Sequence, residues 1–236
     1  MNIKKHIPNF ITLGNLFCGC IALIFVSKLD FEKAFAFVAL GIFLDFFDGF
    51  FARLFKVSSP LGLQLDSLAD MVTSGVVPGY VMFQMFQGQQ YDPEIISIYS
   101  SFGFIITLGA CYRLANFNID ARQTNSFIGL PTPANTLFIM SLPMIFKLFR
   151  DDSWSIYLTN YWVLGAITLF STYIMNAEIP LFALKIKNFN FKDNALQIVF
   201  LLISVLLIVY FQFLGIAVAI VFYVLLSVFK NMICKK

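Results

Sequence analysis

Seven apolar stretches constrain this chain more than any other feature of its 236 residues. They cover residues 7–26, 34–55, 61–86, 95–117, 134–149, 154–175 and 195–229. A helix needs about 20 mostly apolar residues to cross the hydrocarbon core of a bilayer. The last stretch is 35 residues long, too long for one span, and Gln212 and Gly215 near its middle mark a tight turn between two helices. The reading is an all-α, polytopic integral membrane protein with about eight transmembrane helices. Composition agrees: 59% of residues are hydrophobic and only 12% are charged, about half the usual charged share of about 25%. A soluble globule of this size lacks the polar surface it needs, and disorder or nucleic-acid binding would need far more charge.

Charge placement orients the spans. With the N-terminus inside, the inner segments hold Lys4, Lys5, Arg53, Lys56, Arg113, Arg122, Lys185, Lys187, Lys192, Lys230, Lys235 and Lys236. The outer loops hold Lys28, Lys33, Lys147 and Arg150. Twelve bases against four is the asymmetry expected of cytoplasmic loops, and it places both termini in the cytoplasm. Seven spans would put Lys230, Lys235 and Lys236 outside. Residues 1–236 read as one membrane domain, with a core over about 7–175 and two further C-terminal helices over about 195–230. Pro8, Asn9, Thr12 and Asn15 interrupt the first apolar run, so it reads as a retained helix rather than a cleaved leader. Cys18, Cys20, Cys111 and Cys234 read as small apolar side chains, since one histidine and scattered cysteines make no zinc set.

Asp45, Asp48, Asp66 and Asp70 lie inside the second and third apolar stretches. A charge at the bilayer centre costs about 2.5–3.5 kcal/mol on the mildest scale, so such acids are functional candidates. Asp45, Asp48, Gly49 and Ala52 share one helical face, and Gly62, Asp66 and Asp70 share one face of the next helix. A short connection makes these helices antiparallel neighbours, so the acidic faces meet near the cytoplasmic end. Four carboxylates side by side need counter-charge. Arg53 is one candidate, and a pair of hard divalent cations fits the oxygen-only donor set.

The run Asp45-x2-Asp48-Gly49-x2-Ala52-Arg53-x8-Gly62-x3-Asp66-x3-Asp70 resembles the signature of the CDP-alcohol phosphatidyltransferases at every fixed position. Three further segments resemble the branch that uses serine as acceptor, the bacterial and archaeal phosphatidylserine synthases. They are Ile7-Pro8-Asn9-x-Ile11-Thr12-x2-Asn15-Leu16, Tyr112-Arg113-Leu114-Ala115-x-Phe117-Asn118 and Phe127-x-Gly129-Leu130-Pro131-Thr132-Pro133-Ala134, with a basic loop after Ile179-Pro180. Asn116 departs from that branch, where a second base is frequent, and so does Asn176-Ala177, where a serine is expected.

The resemblance implies transfer of the phosphatidyl group of CDP-diacylglycerol to L-serine, with release of CMP. Asp45, Asp48, Asp66 and Asp70 would hold two ions of Mg²⁺ or Mn²⁺, with Asp70 as general base. Gly49, Ala52, Arg53 and Gly62 would cradle the CDP-lipid, joined by Thr12 and Asn15. Serine would meet Arg113, Arg122 and Thr132. A homodimer in a prokaryotic inner membrane, its site facing the cytoplasm among membrane lipids, completes the expectation. Two alternatives stay open: the same chemistry on another alcohol, such as glycerol phosphate or inositol phosphate, or a cation transporter using the acids as a pathway. The Gly75-x3-Gly79 pattern suits close helix packing, either internal or between two copies.

Overall fold

A computed structural model describes residues 6–57, 59–88, 98–120, 127–182 and 194–234. Its elements are α1 (Ile7–Ser27), α2 (Phe31–Leu54), α3 (Pro60–Asp70), a π-helical turn (Met71–Val76), α4 (Val77–Gln87), α5 (Ile105–Ile119), β1 (Phe127–Ile128), α6 (Thr132–Leu148), α7 (Tyr161–Asn176), β2 (Pro180–Leu181) and α8 (Ala195–Cys234). Short 3₁₀ turns, Ser100–Phe104 and Ser155–Thr159, precede α5 and α7. Local chemistry sets several starts. The Asp30 side chain accepts from the Lys33 amide and begins α2; Ser59 accepts from Gly62 N–H just before Pro60 and begins α3; Asn160 accepts from Trp162 N–H and begins α7. Each satisfies a donor that the first helical turn leaves without an intrahelical partner. Proline in the first turn costs nothing there, because its missing N–H has no role.

The chain is a helical membrane protein turned outward. Three helices, Ile7–Ser27, Phe31–Leu54 and Ala195–Met232, are long and apolar enough to cross a bilayer. Large apolar side chains cover the outside, among them Phe10, Phe17, Phe43, Phe46 and Trp162. The interior holds Val26, Val38, Val77, Val81, Met82, Ile106, Ile139, Met140, Leu164 and Met175, all fully buried. Hydrocarbon accepts the outer face that water would reject. Cys18 is buried, and Cys20 and Cys111 are exposed and free.

The structure corrects several expected boundaries. The 154–175 stretch is not one helix: α7 starts only at Tyr161, after the 3₁₀ turn and the Asn160 cap. Residues 61–86 form a continuous helical rod, yet the π turn divides it directly after Asp70. Thr132, expected in a loop, opens α6. In the last stretch the backbone leaves the helix at Gln212, with φ 49° and ψ −122°. A Cβ placed on Gly215 would lie 2.1 Å from the Leu207 carbonyl oxygen. Eight residues of straight helix separate such atoms by about 12 Å, so the chain has folded back into a hairpin, and only glycine fits at that crossing.

Close packing of α5 against the α3–α4 rod fixes the core. The two run antiparallel. Asn118 Nδ2 donates to Ser67 Oγ at 2.8 Å, Thr107 Oγ1 to the Gly75 carbonyl at 3.0 Å, and Ser100 Oγ to Gln87 Oε1 at 2.9 Å. The Gly75-x3-Gly79 pattern is used inside this pair: a Cβ on Gly79 would sit 2.0 Å from Thr107 Oγ1. Gly103 is less forgiving, with Phe83 N 2.5 Å and Met82 C 2.8 Å from a built Cβ. Those neighbours are backbone and cannot rotate away. Gly103→Ala should therefore destabilise the fold by about 1–3 kcal/mol, whereas Gly165→Ala, which would meet only Phe102 at 3.9 Å, should change little. Thermal unfolding of both variants in one detergent checks the contrast.

Candidate active site

Two antiparallel helix segments and the first helix build the site. Asp45 and Asp48 lie three residues apart in the second half of α2; Asp66 and Asp70 lie four apart at the end of α3. The turn at 55–59 is short, so the faces carrying these acids must oppose one another. One carboxylate oxygen from each of Asp45, Asp48 and Asp66 lies within 4.8 Å of the others. Asp48 is buried, and Asp45, Asp66 and Asp70 are half-buried.

Helix α1 supplies the donors. The Thr12 hydroxyl donates to Asp48 Oδ2 at 2.5 Å, and it also lies 3.0 Å from the Pro8 carbonyl of its own helix. The Asn15 amide reaches two acids, Asp70 Oδ1 at 3.2 Å and Asp45 Oδ1 at a long 3.5 Å. Thr12 and Asn15 are themselves buried. They lie one turn apart, as their i, i+3 spacing requires, and hydrogen-bond carboxylates of both acidic helices. The Asn15 side-chain oxygen, Oδ1, finds no hydrogen-bond partner among the described residues. Gly41 lets it approach: a Cβ there would lie 2.9 Å from Asn15 Oδ1.

A cavity of about 210 Å³ opens beside Asp48 and Asp66, walled by Pro8, Asn9, Thr12, Gly49, Ala52, Val57, Ser59, Gly62 and Leu63. The small signature residues Gly49, Ala52 and Gly62 thus face one space, as their spacing anticipates. Arg53 stands beside Gly49. It is exposed at the end of α2, and its guanidinium lies back towards Gly49, with Nη1 3.5 Å from a Cβ built there. Among the described residues no ion pair links Arg53 to the acids.

The residues expected to meet an acceptor fall around the π turn that follows Asp70. Three neighbouring helices each hold one of its successive residues. The Thr73 hydroxyl donates to the Asn15 carbonyl at 3.1 Å, Thr136 of α6 donates to the Ser74 carbonyl at 3.0 Å, and Thr107 of α5 donates to the Gly75 carbonyl at 3.0 Å. Such π turns are rare and recur at functional sites. Arg113 is buried on α5, with its guanidinium 5.5 Å from the Phe117 ring centre. The α5 register sets it between the Asn118–Ser67 and Ala110–Gly75 contacts, level with the start of the π turn. Thr132 is buried one turn before Thr136. Arg122 lies outside the described residues. Sequence reasoning missed Thr136, Thr107 and the buried pair in which Ser171 Oγ donates to Asn135 Oδ1, since single hydroxyls in apolar helices carry no periodic signal.

Four acids held this close repel one another when ionised. In a chelator, Asp45→Asn should raise the melting temperature, by about 2–4 °C for each kcal/mol of repulsion relieved. A divalent cation should restore the order by stabilising the parent chain more than the variant. A thermal shift series with and without EDTA reads both effects.

Comparison with known proteins identifies the family. A family model described as CDP-alcohol phosphatidyltransferase matches residues 5–177. The chain is 37% identical over 129 residues to a CDP-diacylglycerol–serine O-phosphatidyltransferase of Bacillus subtilis, covering 55% of this chain and 70% of that protein. A protein of the same name from Helicobacter pylori is 28% identical over 199 residues, 82% of this chain and 79% of its own length. The Saccharomyces cerevisiae protein of that name is 31% identical over 174 residues, 62% and 60% of the two chains. The chain belongs to the CDP-alcohol phosphatidyltransferase family.

Proposed function

With that membership as premise, we propose that the protein transfers the phosphatidyl group of CDP-diacylglycerol to the hydroxyl of L-serine and releases CMP. The observation that carries the reading is the convergence of Asp45, Asp48 and Asp66 oxygens beside a cavity lined by Gly49, Ala52 and Gly62. Serine as acceptor is supported by the names of the relatives from three organisms and by the buried cation of Arg113 near the site. In this reaction a bond forms between the serine hydroxyl oxygen and the phosphorus that bears diacylglycerol. The bond from that phosphorus to the CMP oxygen breaks, and the hydroxyl proton leaves to a carboxylate.

The residues divide the work. Asp70, at the end of α3 and tethered by the Asn15 amide, takes the proton as general base. Thr12 and Asn15 fix carboxylate rotamers from α1, and Gly49, Ala52 and Gly62 keep side-chain bulk out of the space for the CDP-lipid. Arg53, exposed at the α2 end, reaches for a phosphate oxygen at the headgroup level. Arg113 meets the serine carboxylate, with Thr132 beside it. The all-oxygen set of Asp45, Asp48 and Asp66, joined by Asp70, suits Mg²⁺ or Mn²⁺. When bound, two such ions would neutralise pyrophosphate charge and stabilise the departing CMP.

The same reading places an integral protein in a prokaryotic inner membrane, crossing it eight times, with termini and site on the cytoplasmic side. The twelve-to-four distribution of bases and the fold-back at Gln212 support the topology. Residues 1–236 act as one catalytic domain, and a homodimer follows from the family resemblance. Purified protein given Mn²⁺, CDP-diacylglycerol and a panel of serine, glycerol phosphate and inositol phosphate should release CMP with serine. Asp66→Asn should lower that release roughly a hundredfold or more. Release with another alcohol instead would reassign the acceptor, and none with any would defeat the enzyme reading. Arg113→Ala should raise the KM for serine by about tenfold or more while the KM for CDP-diacylglycerol stays near its parent value.

A further inference from the structure

The family match ends at residue 177, yet the C-terminal hairpin grips the chain just beyond that point. Tyr223, buried in the second arm of the hairpin, donates its hydroxyl to the Phe182 carbonyl at 2.9 Å. Two turns on, Asn231 Nδ2 donates to the Pro180 carbonyl at 2.5 Å. The Phe182 ring sits edge-on between Phe200 of the first arm, at 5.7 Å, and Tyr223, at 4.9 Å. Lys230 Nζ lies 5.8 Å from the same ring. Both arms of the hairpin therefore close on one short segment, 180–182.

That segment is not a free loop. Pro180–Leu181 is β2, which pairs antiparallel with β1, Phe127–Ile128. The pairing continues into the next residues: Gly129 N–H donates to the Ile179 carbonyl at 2.9 Å, and Leu130 N–H to the Ile174 carbonyl at 3.0 Å. Gly129 has φ +75°, and a Cβ on it would lie 2.3 Å from the Met175 carbonyl oxygen, so the backbone there is clamped against the end of α7. Thr132 follows within three residues. One turn later, Thr136 holds the Ser74 carbonyl of the π turn, four residues beyond Asp70. A contiguous path of contacts thus runs from the C-terminal hairpin to the π turn that follows Asp70.

We propose that the C-terminal hairpin is a positioning element for the acceptor segment, with Tyr223 and Asn231 as positioning residues that act through 180–182 and 127–130. The proposal rests on the reading of the 129–135 segment as part of the serine site. Among the described residues none of the hairpin lines the cavity beside the acids, so its effect falls on the acceptor and not on the CDP-lipid.

The test uses the full chain with Tyr223→Phe, Asn231→Leu and the double variant. Tyr223→Phe keeps the ring against Phe182 and Phe200 and removes only the hydroxyl. Two readouts are taken: steady-state kinetics in both substrates, and hydrogen exchange at the Gly129 and Leu130 amides. The double variant should raise the KM for serine about three- to tenfold, leave the KM for CDP-diacylglycerol within about twofold, and speed exchange at both amides by a similar factor. Unchanged exchange would show that the hairpin holds nothing at 127–130. Faster exchange with an unchanged KM for serine, or a fall in kcat and melting temperature alone, would reduce the hairpin to a stabilising brace; either result overturns the proposal. Should the parent chain use no serine at all, the functional reading fails on its own, and the proposal falls with it, whatever the exchange data show about the clamp.

Discussion

Burying acids in an apolar bundle is the constraint around which the rest of this structure is arranged. Asp45, Asp48, Asp66 and Asp70 sit in helices whose outer faces are phenylalanine and leucine, and isolated carboxylates in such surroundings are costly. The bundle answers with short polar side chains from α1 and not with a matching set of bases. Thr12 takes Asp48, and Asn15 is shared between Asp70 and Asp45. That choice dictates how close α1 must come to α2, which in turn requires Gly41 where Asn15 approaches and Gly19 where Thr73 does. Small residues at the contact and polar side chains as glue are the general means of helix association in lipid. Here they also set the site. A bundle held by interdigitated leucines alone would have no reason to bring these backbones so near.

How much of this was legible in the sequence depends on whether a feature repeats. The acids repeat with the helix, at three and four residues, and opposite pairs on helices joined by a short turn could be brought together on paper. That Gly49, Ala52 and Gly62 line one space fits the same periodicity. The fold-back at Gln212 was readable from length, because 35 apolar residues exceed one bilayer. What does not repeat stayed hidden. Met71–Val76 contains no proline or other signal of a π turn, and its existence rests on three hydroxyl contacts from helices distant in the chain. The orientation of Arg53 was not legible for a related reason. Adjacency in a motif says nothing about which way a long side chain turns at a helix end, and a guanidinium near a membrane surface gains more from headgroups and water than from the interior.

The π turn also explains why the third apolar stretch is one rod and yet not one helix. A π turn spreads a helix by one extra residue per turn, shifting every side chain after it relative to those before. Upstream of the turn, α3 turns Asp66 and Asp70 toward α1 and α2. Downstream, α4 turns Val77, Val81 and Met82 into the core. Gly75, Gly79 and Gly103 let α5 follow that shift at close range. The acidic face and the core face of one continuous rod can thus be set at independent angles, which a regular α-helix of the same sequence would not allow.

Depth in the membrane is the remaining constraint, and the helix lengths fix it. Asp48 lies six residues before the end of α2 and Asp45 nine, which puts them about 9 and 13.5 Å from that end along the axis. At and just beyond the end of α2 lie Arg53 and Lys56, bases that belong at the headgroup layer. A reaction that joins a water-soluble acceptor to a lipid needs its centre just below that layer. Any shallower, and the lipid would have to leave the hydrocarbon; any deeper, and a polar acceptor would have to enter it. The α2 end meets that requirement, with the acids within a short reach of the headgroup layer and the phenylalanine face of the same helix turned outward.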